Sequence, residues 1–124
     1  KAYPTLVKML PRDKKIDFSR PSVVSEMAYR NRLEAITSLT YFGRPDPKAI
    51  KALMAIVEDP DDDGRLAMAA GAALGQMGDP ALQEAMLAKV LEAKSDERVR
   101  TAYVNGLWRR PSALPAESSS RGRC

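Results

Sequence analysis

The sequence is divided by a recurring pattern: a helix-forming segment ends at glycine or proline, and the next one begins at Asp-Pro. Three leucines deep in alternate segments, Leu39, Leu74 and Leu107, stand 35 and 33 residues apart. An Asp-Pro pair follows the first two of them, and this pair favours a helix start because aspartate caps free N–H groups and proline fits the first turn. The pattern predicts three helix–turn–helix units, which bury their apolar sides only by stacking on one another.

The predicted units cover residues 1–44, 45–78 and 79–110 and form one domain. Apolar residues at helical spacing predict six helices, at about residues 3–10, 22–42, 48–58, 65–77, 81–93 and 97–109. The expected fold is therefore all-α, a short right-handed α-solenoid of about three repeats. Residues 111–124 have the composition of a disordered tail, and they contain the single cysteine, Cys124.

Small residues fill the middle of the stretch from Glu58 to Pro80. The run from Met68 to Gly75 is almost entirely alanine and glycine, which allow two helix backbones to approach closely. The helix that contains this run is therefore expected to lie between neighbouring helices.

Two strings resemble the HEAT-like repeats first described in phycobilisome lyases: AALGQMGDP at residues 72–80 and DERVRTAYVNGL at residues 96–107. The pattern of those repeats is roughly D-x-x-V-R-x-A-A-x-A-L-G-x-x-G-D-P, and the resemblance covers about residues 24–110. It implies a stack of helical repeats that acts as a scaffold, since repeats of this kind serve in many unrelated scaffolds. Nothing in the sequence indicates bilin chemistry.

Helical geometry separates the arginines into two sets. Arg32 and Arg100 stand seven residues before a core leucine, within about 20° of it around the helix, and are expected to point into the helix packing. The resemblance implies that such arginines form a ladder with acidic residues of the preceding turn. Asp96 is placed for this role with Arg100, whereas Ala67 interrupts the ladder in the second unit.

The second set stands nine residues before the leucines, on the opposite side of each helix, and is expected to face solvent. Its members are Arg30, Arg65 and Arg98. Because stacked helices lie roughly 8–10 Å apart, these arginines are placed to form a basic ridge that contacts a ligand. The alternative is an ordinary solvated face.

The segment from Pro11 to Ser22 has no helical period and carries four basic residues, Arg12, Lys14, Lys15 and Arg20. A connector of this length is uncommon in a small helical domain. It is either a solvated linker or a contact loop for an acidic partner.

Leu6, Val7 and Leu10 lie in the first predicted helix, just before this connector. Their apolar surface is expected to be covered by another chain or domain.

Composition excludes several kinds of site. With no histidine and one cysteine, the chain has no Ser-His-Asp triad, histidine-ligated zinc or internal disulfide. The acidic run at residues 59–63 invites a calcium interpretation but lacks the alternation and closing glutamate of an EF-hand, so it is interpreted as helix caps. No cofactor or metal is expected.

Tyr103 and Trp108 are expected to pack within the fold or cap its end.

These features leave three functions open. The leading expectation is a non-catalytic scaffold or adaptor that binds a protein partner, alone or within a larger assembly. An acidic partner surface suits the net charge of +4, because residues 1–48 hold ten basic against five acidic residues. The alternative is a nucleic-acid-binding module that uses the basic loop and ridge. The third function is an enzyme, for which the only carboxylate candidates are Glu26, Glu34 and the acidic run. The spacing of the sequence does not pair any of them with a nucleophile.

The default compartment is the cytoplasm, with an exported mature protein as the alternative.

Overall fold

The computed structural model describes residues 2–18, 20–42, 46–77, 79–92 and 96–109. The predicted all-α fold is confirmed: this part of the chain forms six helices and contains no strand. The helices are α1 (Ala2–Lys8), α2 (Val23–Phe42), α3 (Pro47–Glu58), α4 (Gly64–Gln76), α5 (Pro80–Leu91) and α6 (Glu97–Arg109). The predicted helix ends at Gly43, Gly78 and Pro111, and the predicted tail with Cys124, lie outside the described residues.

Aspartate caps define where the last four helices begin. Asp46, Asp63, Asp79 and Asp96 each accept a hydrogen bond from the backbone N–H two residues later, at 2.8–3.2 Å. Proline occupies the first position of α3 and of α5. The helix starts that Asp-Pro predicts are therefore present, and they occur for the predicted reason.

The helices pair along the chain, α1 with α2, α3 with α4 and α5 with α6, and the pairs stack. The second helices of the pairs lie side by side in the order α2, α4, α6, while α1 and α3 form a neighbouring layer. The result is a short all-α solenoid. The core runs through all three pairs and includes Leu39, Leu53, Leu74, Met86 and Tyr103, each at most 1% exposed.

Helix α4 is the central element, with α2, α3 and α6 packed around it. Its small residues permit this, as predicted, and the approach to α6 is close enough that a methyl group at Gly71 would collide with the carbonyl of Ala102. A methyl group at Gly75 would likewise collide with the carbonyl of Gly106. Glycine is therefore needed in α4 for the backbone contact with α6.

The expectation that another chain covers Leu6, Val7 and Leu10 is wrong for Leu10, and for the remaining exposed surface of Leu6 and Val7 it stays a prediction. Leu10 is fully buried, and Leu6 and Val7 are half-buried against the core of the same chain. The reason is that α1 packs on both α2 and α3. The first helix is therefore covered in part by its own chain.

Several large apolar side chains are exposed. Tyr103 is buried as expected, but Trp108 at the end of α6 is 83% exposed. Met27 on α2 and Leu87 and Leu91 on α5 also face outward. Helical spacing identifies the apolar side of a helix, but whether a neighbour covers that side depends on how the helices stack.

Candidate protein-binding surface

The turn between α3 and α4, residues 59–63, is called the acidic turn below. Its innermost residue, Asp62, receives two hydrogen bonds from the guanidinium of Arg32, at 2.7 and 2.6 Å. The pair is almost completely buried, with side chains 5% and 1% exposed. Arg32 also donates from Nε to the carbonyl of Leu10 at 2.9 Å and lies 5.6 Å from the centre of the Phe18 ring. Arg32 thus ties α1, α2 and the acidic turn together.

Arg12 reaches the same turn from the segment between α1 and α2. Its Nε donates to Asp59 at 2.8 Å. Partial burial raises the pKa of Asp59, but the hydrogen bonds from Arg12 and from the N–H of Asp61 outweigh it and leave that pKa below its usual value. Arg12 is therefore engaged within the fold, although the sequence placed it among the partner contacts.

Arg65 joins the acidic turn to α2. It donates to Asp63 at 2.8 Å and to Glu26 at 2.9 Å, and its guanidinium lies 3.7 Å from the centre of the Tyr29 ring. The hydrogen bonds to Asp63 and Glu26 raise the pKa of the Arg65 guanidinium. Although the Arg65 side chain is 52% exposed, these contacts hold it against the preceding unit.

Helix α6 also contacts this region. Arg98 is half-buried and donates from Nη1 to the carbonyl of Pro60 at 3.1 Å. The hydroxyl of Tyr103 donates to Glu58 at 2.5 Å. The acidic turn and the end of α3 therefore connect the second unit to both of its neighbours.

These contacts differ from the predicted solvent-facing ridge. Arg65 and Arg98 both point back to the preceding unit, while Arg30, in the first unit, is exposed. The prediction treated each helix as a cylinder with one buried side, whereas a helix in a stack also has lateral neighbours that a long arginine side chain can reach.

Of the two arginines predicted for the ladder, Arg32 forms a buried contact with an acidic turn. Arg32 binds the turn that follows it, through Asp62. The carboxylate of Asp96 accepts from the backbone N–H of Arg98 at 2.8 Å and so caps α6. No ion pair joins Asp96 to Arg100 within the described residues. In the described structure Asp96 therefore acts as a helix cap.

Four of the predicted contact residues remain accessible. Lys14, Lys15, Arg20 and Arg30 are exposed, and no ion pair of the described chain involves them. Lys15 and Arg20 line one shallow depression and Arg30 lines another, and Pro21 and Ser22 belong to both. The same depressions are lined by exposed apolar side chains at the start of α2. We call this surface the N-terminal patch: Lys15, Arg20, Val23, Val24, Met27 and Arg30.

The start of α2 holds the patch in place through two serines. The N–H of Ser25 donates to the hydroxyl of Ser22, and the N–H of Ser22 donates to the hydroxyl of Ser25, each at 3.0 Å. This reciprocal arrangement is that of a capping box, with serine in the place of glutamate. Ser25 also donates to the carbonyl of Arg20 at 3.3 Å, which fixes the approach of the chain to the helix.

Sequence reasoning missed the apolar half of this patch. It treated the segment before α2 as a set of charges, although Val23 and Val24 come three and four residues after Arg20 and Met27 lies one turn later. Adjacent valines at a helix start, outside the helical stripe of the core, were the available signal.

The described residues contain no group of three or more acidic or cysteine side chains that is arranged to hold a metal. None of the described helices is long and apolar enough to cross a membrane.

Most carboxylates of the acidic turn bind arginine side chains or cap helices. The arrangement of exposed cations around apolar side chains is suited to binding, and in particular to an acidic surface with apolar side chains of its own.

Comparison with known proteins identifies the architecture. Residues 16–108 match the family model of HEAT repeats. No curated protein and no solved structure gives a significant match. The match does not separate phycobilisome-lyase-type repeats from other HEAT repeats, so that subtype stays a prediction. Since the match extends over most of the chain and the helices stack in pairs, this protein belongs to the HEAT repeat family.

Proposed function

We propose that this protein is a non-catalytic helical-repeat scaffold that binds an acidic segment of a protein partner through the N-terminal patch. The observation that carries the proposal is the combination of exposed Val23, Val24 and Met27 with cations that have no ion-pair partner in the described chain. An apolar centre with a charged rim is typical of protein interfaces. Membership of the HEAT repeats supports a scaffold role, because these repeats commonly mediate protein interactions.

The distribution of charge favours a protein over a nucleic acid as the partner. Arg12 and Arg65 are engaged by carboxylates, which removes two residues of the predicted basic loop and ridge from contact with a phosphate backbone. The acidic turn also lies beside the basic segment, and it would repel phosphates. Nucleic-acid binding depends mainly on neutralising many phosphates at once.

The positions of the carboxylates support a non-catalytic role. Glu26 pairs with Arg65, and Asp62 pairs with Arg32 inside the fold. The acidic residues that the sequence offered as catalytic candidates thus act mainly as structural contacts. An enzyme would instead hold a carboxylate in a cleft beside a second reactive group.

A binding assay with defined probes tests the proposal. The probes are a fluorescent amphipathic peptide of alternating glutamate-rich and leucine-rich turns and a single-stranded oligonucleotide of similar charge, measured by anisotropy at physiological salt. We expect saturable binding of the peptide and at least tenfold weaker binding of the oligonucleotide. The reason is that only the peptide buries Val23, Val24 and Met27 while it pairs with the cations.

A charge-matched pair of variants locates the site. Lys15→Glu, Arg20→Glu and Arg30→Glu together should abolish peptide binding. The control carries Lys8→Glu, Lys48→Glu and Lys51→Glu, which are exposed and change the net charge equally. Equal loss in both variants would show a non-specific charge effect, and preferential oligonucleotide binding would move the assignment to nucleic acid. Either result rejects the proposal.

A further inference from the structure

One side of α2 is exposed from the start of the helix to its last turn. Val23 is 77%, Met27 is 60% and Tyr41 is 89% exposed, and three polar residues between them are exposed as well. We call this side the α2 row: Val23, Met27, Arg30, Glu34, Thr37 and Tyr41. Its first half belongs to the N-terminal patch, and its second half continues that surface towards the end of the helix.

The spacing of the α2 row is that of a contact between two helices. Its members follow one another at intervals of four, three, four, three and four residues. This is the spacing of the seam along which paired helices pack, because side chains three and four residues apart lie one above another. At 100° per residue the six positions stay within an arc of about 80°. The row is therefore a narrow strip that matches a second helix of about five turns.

Two charges without partners lie in the middle of the row. Arg30 and Glu34 stand four residues apart, yet no ion pair of the described chain joins them or involves either one. With the cation nearer the helix N-terminus, such a pair is the weaker of the two possible arrangements. Both charges are therefore available, and their complement is a carboxylate and a cation one turn apart on a partner.

The far end of the row borders an apolar depression between α2 and α4. The depression is lined by Ile36, Thr37, Thr40 and Tyr41 of α2 and by Ala69 and Ala72 of α4. The hydroxyl of Thr40 donates to the carbonyl of Ile36 at 2.9 Å, so this polar group is already satisfied. The depression is consequently suited to an apolar side chain.

We propose that the acidic segment of the partner binds as an amphipathic helix along the α2 row, an inference that rests on the proposed function. An acidic end of that helix pairs with Lys15 and Arg20, near the start of the row. A carboxylate and a cation, one turn apart, match Arg30 and Glu34 at its centre. A large apolar side chain at the other end enters the depression beside Tyr41.

The charge pattern favours a partner over a second copy of this chain. Two α2 rows packed antiparallel would place Arg30 opposite Glu34, but they would also bring Lys15 and Arg20 to the end of the other α2. The last two turns of that helix, residues 35–42, contain no acidic residue. These two cations would stay unpaired in such a dimer, whereas an acidic partner helix pairs with them.

Fluorescence anisotropy with two peptides of about 20 residues, long enough to match α2, tests this inference. Both peptides have a glutamate-rich end, a leucine-rich middle and a leucine at the far end. Each is made in both sequence directions, because the α2 row does not set the polarity of the partner helix. The peptides differ at one position, one turn from the central glutamate, which is lysine in the matched peptide and glutamate in the mismatched one. We expect the matched peptide to bind about tenfold more tightly and to gain helical circular dichroism on binding.

Glu34→Lys should reverse this preference, because it places a cation opposite the lysine and offers the mismatched peptide an ion pair. Glu84→Lys, at an exposed glutamate of α5, is the control with the same change of charge and should keep the wild-type preference. Tyr41→Glu should weaken binding of both peptides about fivefold, because it places a charge beside the apolar depression. A proline in the middle of the matched peptide should abolish binding, since it breaks the helix.

The outcomes distinguish this inference from the proposed function. Binding of neither peptide would reject the proposed function and this inference with it. Equal binding of both peptides, an unchanged preference in Glu34→Lys, or full binding of the proline peptide would overturn the helix along the α2 row and leave the N-terminal patch as the site. Self-association of the chain that Glu34→Lys abolishes would assign the row to a second copy and overturn the inference too.

Discussion

At the scale of single residues, the buried pair of Arg32 and Asp62 is the contact on which the N-terminal half depends most. Removing two charges from water is costly, and the structure offsets that cost with two short hydrogen bonds between them and a third from Arg32 to the carbonyl of Leu10. Loss of one partner leaves the other charge buried without compensation. The pair therefore stabilises the fold only as a unit.

Asp62→Ala should lower the free energy of unfolding by about 3–5 kcal/mol, because it leaves the Arg32 guanidinium buried and unpaired. Arg32→Ala should cost a similar amount, and the double variant should cost much less than the sum of the two. Urea denaturation of the four proteins measures this. Arg65→Ala is the control, since its half-exposed ion pairs contribute about 1 kcal/mol or less. Additive losses at Arg32 and Asp62 would contradict this account.

Tyr103 gives the protein a predicted sensitivity to alkaline pH. Burial and the hydrogen bond to the Glu58 carboxylate raise the pKa of the Tyr103 hydroxyl well above its usual 10.0. Above about pH 10 the unfolded chain loses this proton while the folded chain keeps it, so stability falls as pH rises further. Below that pH the unfolded hydroxyl is also protonated, and this contribution to stability is fully present.

Tyr103→Phe should therefore make the loss of stability between about pH 9 and 11 less steep than in the wild type. Urea midpoints measured across that range give the slope. The exposed Tyr41 provides the comparison, and Tyr41→Phe should keep the wild-type slope. The same slope in the Tyr103 and Tyr41 variants would show that the buried hydroxyl does not control the alkaline transition.

At the scale of helices, the contact between α4 and α6 determines how closely the second and third units stack. Gly71 and Gly75 face the carbonyls of Ala102 and Gly106, so the two backbones touch where most helix pairs are separated by side chains. This contact depends on the absence of a Cβ atom. It is consequently the part of the stack that is most sensitive to small substitutions.

Gly71→Ala and Gly75→Ala should each destabilise the protein by about 1–3 kcal/mol through overpacking, although alanine favours the helix itself. Gly64→Ala is the matched control in the same helix, because no atom lies within 4 Å of the position that its Cβ would occupy. Thermal unfolding of the three variants distinguishes packing from helix propensity. A stabilised Gly71 or Gly75 variant would contradict the close approach.

The elements themselves could be predicted from local sequence. The Asp-Pro starts at Asp46 and Asp79 and the small residues of α4 each act within one helix or one contact, so the sequence pattern was sufficient. The partners of Arg12, Arg65 and Arg98 could not be predicted in the same way. They depend on the rotation between neighbouring helices, and the spacing within one helix contains no information about that rotation.

At the scale of the whole molecule, several of the arginines that the sequence suggested for a partner form contacts within the stack instead. The acidic turn engages Arg12, Arg32 and Arg65, and it also holds Arg98 through a backbone carbonyl. The accessible surface is consequently divided between two ends. The N-terminal patch combines apolar side chains with free cations, and at the other end Leu91 and Trp108 of the last helix pair are exposed.

The order of the repeats was predictable at this scale because the leucine, aspartate and arginine positions recur along the chain. Which surface remains exposed was not predictable. The exposure of Trp108 and of Val23 follows from where the stack of described helices ends and from how the chain enters α2. Neither feature is encoded in the repeat pattern itself.

Affinity capture from the native source tests the central claim, partner binding through the N-terminal patch, most directly. The wild type, the Lys15→Glu, Arg20→Glu, Arg30→Glu variant and the charge-matched Lys8→Glu, Lys48→Glu, Lys51→Glu control would be compared with and without nuclease. We predict a stoichiometric partner with an acidic segment that survives nuclease, is retained by the control and is lost from the patch variant. Loss of all captured material on nuclease treatment, or equal capture by both variants, would contradict the account.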